Sequence, residues 1–381
     1  MDEISLIGLT RKYPEFKYST NDLLDKFDKK FSELVKENIL QLGVKERYCI
    51  RPIENYLEPT KNRINQNGDE PISDLAAETA KECLKSLGYS LRDITCLVAA
   101  SENSDYQSPG LSSILLTKIG FSNFLPHFNI QGMACSTLPK LLELGKNMIK
   151  NDTDKILFVI SGANSPWYLP HLGEDVQVVN PKESKGTELE KKKDIQKWVS
   201  TMFSFLFGDG MCAFVMTKKD IDNSIKIKKI THAVNFSSDD YRKASVKLVG
   251  NEKDVGYEFE LNAGGDILDR ALNYSKKVLM HSLNKDWSTY DKTICENYME
   301  EKNKVMIHTG SLKILKGFQN LYNLSNDQIS EGFETLQNYG NLTGVSIPTI
   351  LDKSIKNGFS GKGLLIGITM GFGLDLVEIE K

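Results

Sequence analysis

Neither sign of charge dominates this 381-residue chain: 48 Lys and Arg stand against 51 Asp and Glu, a formal net charge of −3. That near balance removes the electrostatic case for nucleic acid or an anionic membrane surface as the main partner, while leaving room for a local basic patch on a phosphorylated ligand. Long hydrophobic runs are missing too. No apolar stretch reaches the roughly 18 to 20 residues that cross a bilayer, so no transmembrane segment is expected. Met1-Asp2-Glu3 lacks the basic-then-apolar start of a secretory leader, and a cytoplasmic protein is expected. Cysteine is sparse and unpaired. Cys49, Cys83, Cys96, Cys135, Cys212 and Cys295 form no Cys-x-x-Cys pattern, which argues against a disulfide framework and against a zinc site. No metal is expected.

What is present points to layered α/β structure. Single cores seldom grow beyond roughly 250 to 300 residues, so a chain of this length predicts two domain-sized units. Apolar, β-branched runs predict strands over Ile4 to Leu9, Ile94 to Ala100, Lys155 to Ser161, Met211 to Met216, Val305 to His308 and Gly363 to Thr369. Helical spacing marks Ser73 to Leu87, Thr137 to Ile149, Ile267 to Leu283 and Val345 to Lys356. Helix, strand, helix, strand recur in that order in both parts of the chain, which predicts a duplicated architecture with halves 1–225 and 226–381. Two polar stretches, Asn180 to Lys197 and Asp286 to Lys304, read as surface insertions, either solvated or serving as a lid or docking segment.

Three side chains carry potential chemistry. Cys135 in Gly132-Met133-Ala134-Cys135-Ser136-Thr137 lies just before a helical pattern in which Pro139 fits an early turn. A sulfur at a helix N-terminus gains thiolate character and can attack a thioester, although an inert buried thiol is the competing reading. His308 follows the apolar run Val305-Met306-Ile307 and precedes Thr309-Gly310, a strand-end loop of the kind that holds active-site residues in α/β proteins. His127, His171, His232 and His281 have no such context and read as structural. Asn341 in Tyr339-Gly340-Asn341 is by itself a turn or N-cap residue, but its amide can also donate to a developing enolate oxygen. Phe207-Gly208-Asp209-Gly210 and Gly371-Phe372-Gly373 are Gly-rich loops, neither with the setting of a dinucleotide fingerprint.

Together and in this order, these segments resemble the thiolase-like condensing enzymes, and more narrowly the chalcone-synthase-like type III polyketide synthases, from about residue 40 to the end. The motifs that carry the likeness are Gly43-Val44-Lys45-Glu46-Arg47-Tyr48, Leu206-Phe207-Gly208-Asp209-Gly210, His308-Thr309-Gly310-Ser311-Leu312-Lys313-Ile314-Leu315, and Tyr339-Gly340-Asn341 with Ile350-Leu351-Asp352. The resemblance implies a five-layer αβαβα fold, a homodimer, and an acyltransferase. Cys135 becomes the acyl-accepting nucleophile, with His308 assisting thiolate formation. His308 and Asn341 become the pair that drives decarboxylation of malonyl thioester. Phe207 and Phe259 match the phenylalanines between the coenzyme A tunnel and the cavity, with core aromatics as the alternative. Asn103, Ser104, Ser108 and Leu374 are expected to line the cavity. Lys45 and Arg47 are expected on the coenzyme A phosphates, unless they are ordinary surface charges. Acyl-CoA and malonyl-CoA, or their acyl carrier protein equivalents, would be substrates, with no further cofactor.

Two departures matter. Gly-Met-Ala-Cys-Ser around the nucleophile is closer to ketoacyl synthase III and the plant fatty acid elongases than to chalcone synthase, and Gly371-Phe372-Gly373-Leu374-Asp375 replaces Gly-Phe-Gly-Pro-Gly. A ketoacyl synthase III-like single condensation or plain acyl transfer is therefore the first alternative. A non-catalytic partner subunit is the second.

Overall fold

In a computed structural model, the described residues are 3–57, 69–173, 177–218, 221, 224–250, 255–261, 267–369 and 371–381; for 243–250, 255–261, 267 and 369 the description covers the backbone alone. The strands are β1 (Ile4–Lys12), β2 (Phe16–Ser19), β3 (Glu46–Cys49), β4 (Cys96–Ser101), β5 (His127–Ile130), β6 (Lys155–Gly162), β7 (Gly210–Thr217), β8 (Ile225–Ala233), β9 (Ala244–Gly250), β10 (Val255–Leu261), β11 (Lys304–Ile307), β12 (Lys362–Thr369) and β13 (Gly373–Glu380). Nine of them form one mixed sheet in the order β11-β12-β13-β8-β1-β7-β6-β4-β5, while β9 with β10 and β2 with β3 make two small ribbons.

Read outward from the β1–β8 pair, the orientations on the two sides match. β7 and β6 follow β1 antiparallel and β4 lies parallel to β6; β13 and β12 follow β8 antiparallel and β11 lies parallel to β12. Burial explains why the strands are continuously apolar rather than alternating. Cys96, Val98 and Ala100 of β4 face one core, and Leu97 and Ala99 face another, so both faces of the sheet are covered.

Three cores define five layers. Helices Pro71–Ser86 and Leu111–Ile119 cover the outer face of the β4–β6–β7 side. Helices Thr137–Met148 and Ser346–Lys356 lie in the middle, where Leu138, Leu142, Ile347 and Leu351 pack with strand residues from both sides of the sheet. Helices Ile267–Ser282, Leu312–Leu321 and Asn326–Tyr339 cover the outer face of the β11–β12–β13 side. This is the αβαβα arrangement that the resemblance implied.

The two middle helices are entered through the same device. Ala134 (φ 42°) opens a 3-10 turn, Ala134–Ser136, that leads into the first; Thr343 (φ 50°) opens Thr343–Val345, which leads into the second. Left-handed backbone at a residue with a side chain is uncommon, and both instances fall at the cavity described below.

Strands β13 and β8 differ from the sequence reading. β13 occupies what reads as a C-terminal Gly-rich loop, because Leu374 to Ile379 alternate between two cores. β8, with its Ile-Lys alternation, was not anticipated; it is a half-buried strand pairing with both β1 and β13. The polar stretch 180–197 contributes to helix Glu188–Leu206, started by a reciprocal capping box between Thr187 and Glu190. Likewise, helix Lys292–Glu300 occupies much of 286–304. Among the described residues, no helix is long and apolar enough to cross a membrane.

Candidate active site

A cavity of about 570 Å³ lies beside the strand ends of both sides of the sheet, and Cys135, His308 and Asn341 all line it. Each is delivered by a separate element. Cys135 sits in the 3-10 turn that opens helix Thr137–Met148, and of the six cysteines it alone is not fully buried. His308 extends the β11–β12 ladder by one step, its N–H donating to the Ile366 carbonyl at 3.0 Å, and the next residue is fixed by a Thr309 Oγ1 to Ser346 Oγ hydrogen bond of 2.8 Å.

Asn341 is held by a backbone crossing. Its N–H donates to the Leu206 carbonyl at 2.8 Å, and its carbonyl accepts the Gly208 N–H at 3.1 Å. The crossing demands glycine on both segments. A Cβ on Gly208 would lie 2.3 Å from the Tyr339 carbonyl oxygen, and one on Gly340, at φ +71°, would lie 2.5 Å from that of Leu206. This contact links the Leu-Phe-Gly-Asp-Gly and Tyr-Gly-Asn motifs, distant in the chain, into one structural unit. Asp209 between the glycines serves the same purpose. It is fully buried and accepts the N–H groups of Ile50 (2.6 Å), Asn164 (2.6 Å) and Ser165 (2.8 Å), together with the Ser165 hydroxyl. Burial nonetheless pushes its carboxyl up to about 6.

The electrostatics of the three residues are those of a neutral, desolvated site. Burial pushes the Cys135 thiol well up and the nearby Glu102 carboxylate adds to this, while a hydrogen bond from the Asn341 side chain works in the opposite direction. Burial pushes His308 down to about 3, so its imidazole is neutral near pH 7. Both ring nitrogens lack a hydrogen-bond partner among the described residues, so a resting imidazole–thiol bond does not form. The Asn341 carboxamide is oriented: its Oδ1 accepts the Thr343 N–H at 2.9 Å.

One part of the cavity wall is aromatic. Phe207 lines it and stacks on Tyr168 with ring centres 4.5 Å apart, and Phe203 meets both rings edge-on. Asn103 also lines the cavity, its Nδ2 donating to the Ala163 carbonyl at 2.8 Å. Five expected positions fall elsewhere. Ser104 and Ser108 are off the wall, whose nearby contributors are Glu102 and Gln107. Leu374 is 1% exposed and packs in the outer core of the β11–β12–β13 side; the strand geometry of β13 turns it away, and Phe372 and Ile368 line the cavity instead. Arg47 is 0% exposed and cannot reach a coenzyme A phosphate. Its guanidinium donates to the Ser204 carbonyl (3.1 Å) and Thr20 Oγ1 (2.5 Å), stacks over Phe205, and is pushed down to about 10 by desolvation. Lys45 is exposed, in a separate cleft with Ser19, Glu46 and Gln337. The side chain of Phe259 lies outside the described residues; its backbone is in β10.

Sequence reasoning passed over Glu102, the carboxylate on the cavity wall. The signal was available: it is the first residue beyond β4, a fully buried strand, and strand ends are where α/β proteins place chemistry.

No protein-family model matches the chain. Similar proteins are β-ketoacyl-[acyl-carrier-protein] synthases III. One from Clostridium perfringens is 27% identical over 308 residues, covering 80% of this chain and 82% of its own. One from Clostridium acetobutylicum is 24% identical over 386 aligned residues, covering 98% and 96%. One from Neisseria meningitidis is 25% identical over 324 residues, covering 82% and 85%. These relatives favour the reading held second in the sequence analysis over the type III polyketide synthase. In its layered fold, and over most of its length, the chain is similar to these thiolase-like condensing enzymes.

Proposed function

We propose that this protein is a ketoacyl synthase III-like acyltransferase that joins an acyl thioester to a malonyl thioester through an acyl group held on Cys135. The observation that carries this reading is the convergence of Cys135, His308 and Asn341 on one cavity from three distant segments. Cys135 sulfur attacks the acyl thioester carbonyl, and the carrier leaves as its thiol with the cysteine proton. The malonyl thioester then loses carbon dioxide. The electron pair of the broken carbon–carbon bond moves onto the thioester oxygen, which His308 and the Asn341 amide hold by hydrogen bonds. The resulting carbanion attacks the Cys135 acyl carbonyl, a carbon–carbon bond forms, and the Cys135 thiolate leaves. A neutral imidazole suits this role, since it donates one hydrogen bond without bringing a cation into a desolvated cavity.

The same reading includes two halves, 1–225 and 226–381, meeting at β1 and β8, and a homodimer. Support for the dimer comes from β5, the edge strand of the sheet on the β4 side, where Phe128 is 49% exposed and Phe124 just before it 95%. An open edge flanked by large apolar side chains needs a partner strand, and a second copy supplies one by two-fold symmetry. Sedimentation at graded concentrations should give the dimer mass.

The central experiment supplies a panel of acyl thioesters, on coenzyme A and on acyl carrier protein, with the matching malonyl thioester. Intact-mass spectrometry should find one acyl group on Cys135, released carbon dioxide and a product one two-carbon unit longer. Products carrying several malonyl units would favour the polyketide synthase. Acyl transfer without carbon dioxide would exclude decarboxylative condensation.

A further inference from the structure

Glu102 does something for the site that none of the three proposed reacting residues does. Its Oε1 accepts the Ala134 N–H at 2.6 Å, and the N–H groups of Gly132 and Met133 also donate to its carboxylate. Its carbonyl accepts Gln131 Nε2 at 3.3 Å, so residues 131 to 134 are all tied to one side chain and its own backbone. The stretch so held contains two left-handed residues, Gly132 (φ +79°) and Ala134 (φ 42°), immediately before Cys135. On the other side, Thr137 Oγ1 donates to the Ala134 carbonyl at 2.6 Å.

We propose that Glu102 is a positioning residue for the nucleophile: its carboxylate collects the N–H groups of Gly132, Met133 and Ala134 and holds the left-handed loop that presents Cys135 sulfur to the cavity. Successive N–H groups turned inward make a concave anion site, and here the anion is supplied by the chain itself. Only an ionised carboxyl group fits. It offers about four lone-pair positions and no proton, whereas an amide offers one oxygen and turns N–H donors against N–H donors. The arrangement has a cost, because the same negative charge raises the Cys135 thiol. Glu102 thus trades thiolate content for geometry. The inference rests on the assignment of Cys135 as nucleophile.

The test is made on the full chain with Glu102→Gln and Glu102→Asp. Two rates are followed by mass spectrometry: acyl transfer from acyl thioester to Cys135, and iodoacetamide alkylation of Cys135 as a function of pH. The titratable groups on the cavity wall among the described residues are Glu102, Cys135, Tyr168 and His308. Tyr168 is held well up and His308 down to about 3, while burial raises Glu102 against its N–H donors, so the wild-type alkylation profile reports Cys135 together with Glu102, and Glu102→Gln removes the second group. For Glu102→Gln, acyl transfer should slow by at least about tenfold while the alkylation profile moves to lower pH, because loop geometry and negative charge are lost together. Glu102→Asp keeps the charge, so its alkylation profile should stay near wild type, with acyl transfer between the two. A purely structural loss would slow both reactions and leave the profile in place.

The inference is overturned if Glu102→Gln acylates Cys135 within about twofold of wild type, or if it acylates normally and fails only in condensation, which would make Glu102 a proton-transfer group. If Glu102→Gln does not fold, Glu102→Asp decides: acylation within about twofold of wild type, or acylation and alkylation slowed alike, rejects the inference, and a partial loss of acylation at an unchanged alkylation rate and profile supports it. If wild type itself never acylates Cys135, the proposed function fails, and the alkylation profiles still test the clamp.

Discussion

Asn341 Oδ1 accepts the Thr343 N–H at 2.9 Å, which leaves the Asn341 amide nitrogen for the cavity and the Cys135 sulfur. A turn residue thereby becomes an oriented donor. Because its backbone is clipped to Leu206 and Gly208, removing the side chain leaves the loop in place. Asn341→Ala should therefore lower malonyl decarboxylation by about 10² to 10³, the usual loss for one preorganised oxyanion donor. Carbon dioxide release from malonyl thioester measures this, and a fall of less than threefold would remove Asn341 from the reaction.

Cys135→Ala should abolish acyl-enzyme formation. The other five cysteines are buried and cannot substitute for it. Intact-mass spectrometry after exposure to acyl thioester is the check; a labile acyl adduct on the variant would disprove the nucleophile assignment.

The depressed His308 value has a defined stability consequence. A group with an ordinary value near 6.5 and a folded value of about 3 contributes stability that is present above 6.5 and lost as pH falls toward 3, because the unfolded chain takes up the proton first. The slope in that window is about 1.4 kcal/mol per pH unit. Asp209 runs the other way: raised from 3.8 to about 6, its contribution is present below 3.8 and lost as pH rises through 6. Comparing wild type with His308→Asn isolates the histidine. The stability difference, from urea midpoints at pH 6.5 and pH 5, should shift by about 2 kcal/mol in favour of the variant at the lower pH. A constant difference would mean that His308 is not desolvated.

Arg47 and Leu374 are core residues, and substitutions there should register as stability. Arg47→Ala removes the guanidinium donor from the Ser204 carbonyl and from Thr20 Oγ1 and empties a fully buried volume, so a loss on the order of 3 kcal/mol is expected, with KM for acyl-CoA unchanged in the folded enzyme. A raised KM at unchanged stability would restore Arg47 to the coenzyme A site.

Leu374→Ala should cost about 2 to 5 kcal/mol without altering acyl-chain preference. Phe372→Ala, by contrast, enlarges the cavity wall and should shift preference toward bulkier acyl groups. Competition between short- and long-chain thioesters separates the two outcomes.

The sequence determined the layers. Apolar runs bounded by turns, and helices with one apolar stripe, have few ways to bury both faces of a sheet, so β4, β6, β7, β11 and β12 and the middle helices were legible from local pattern alone. Cys135, His308 and Asn341 were legible for a related reason: each stands at the end of such an element, beside residues too small to block approach. Local pattern failed where long-range pairing decided the outcome. Leu374 lies in a strand only because β8 and β12 flank it on either side, and two cores then claim alternate residues of β13. Arg47 reads as a surface charge until helix Glu188–Leu206 closes over it with the Ser204 carbonyl and the Phe205 ring. Glu102 was one acidic residue in a polar loop. Tertiary structure set it against three N–H groups 30 or more residues away, and contacts at that separation depend on the packing of whole elements, which no window of sequence contains.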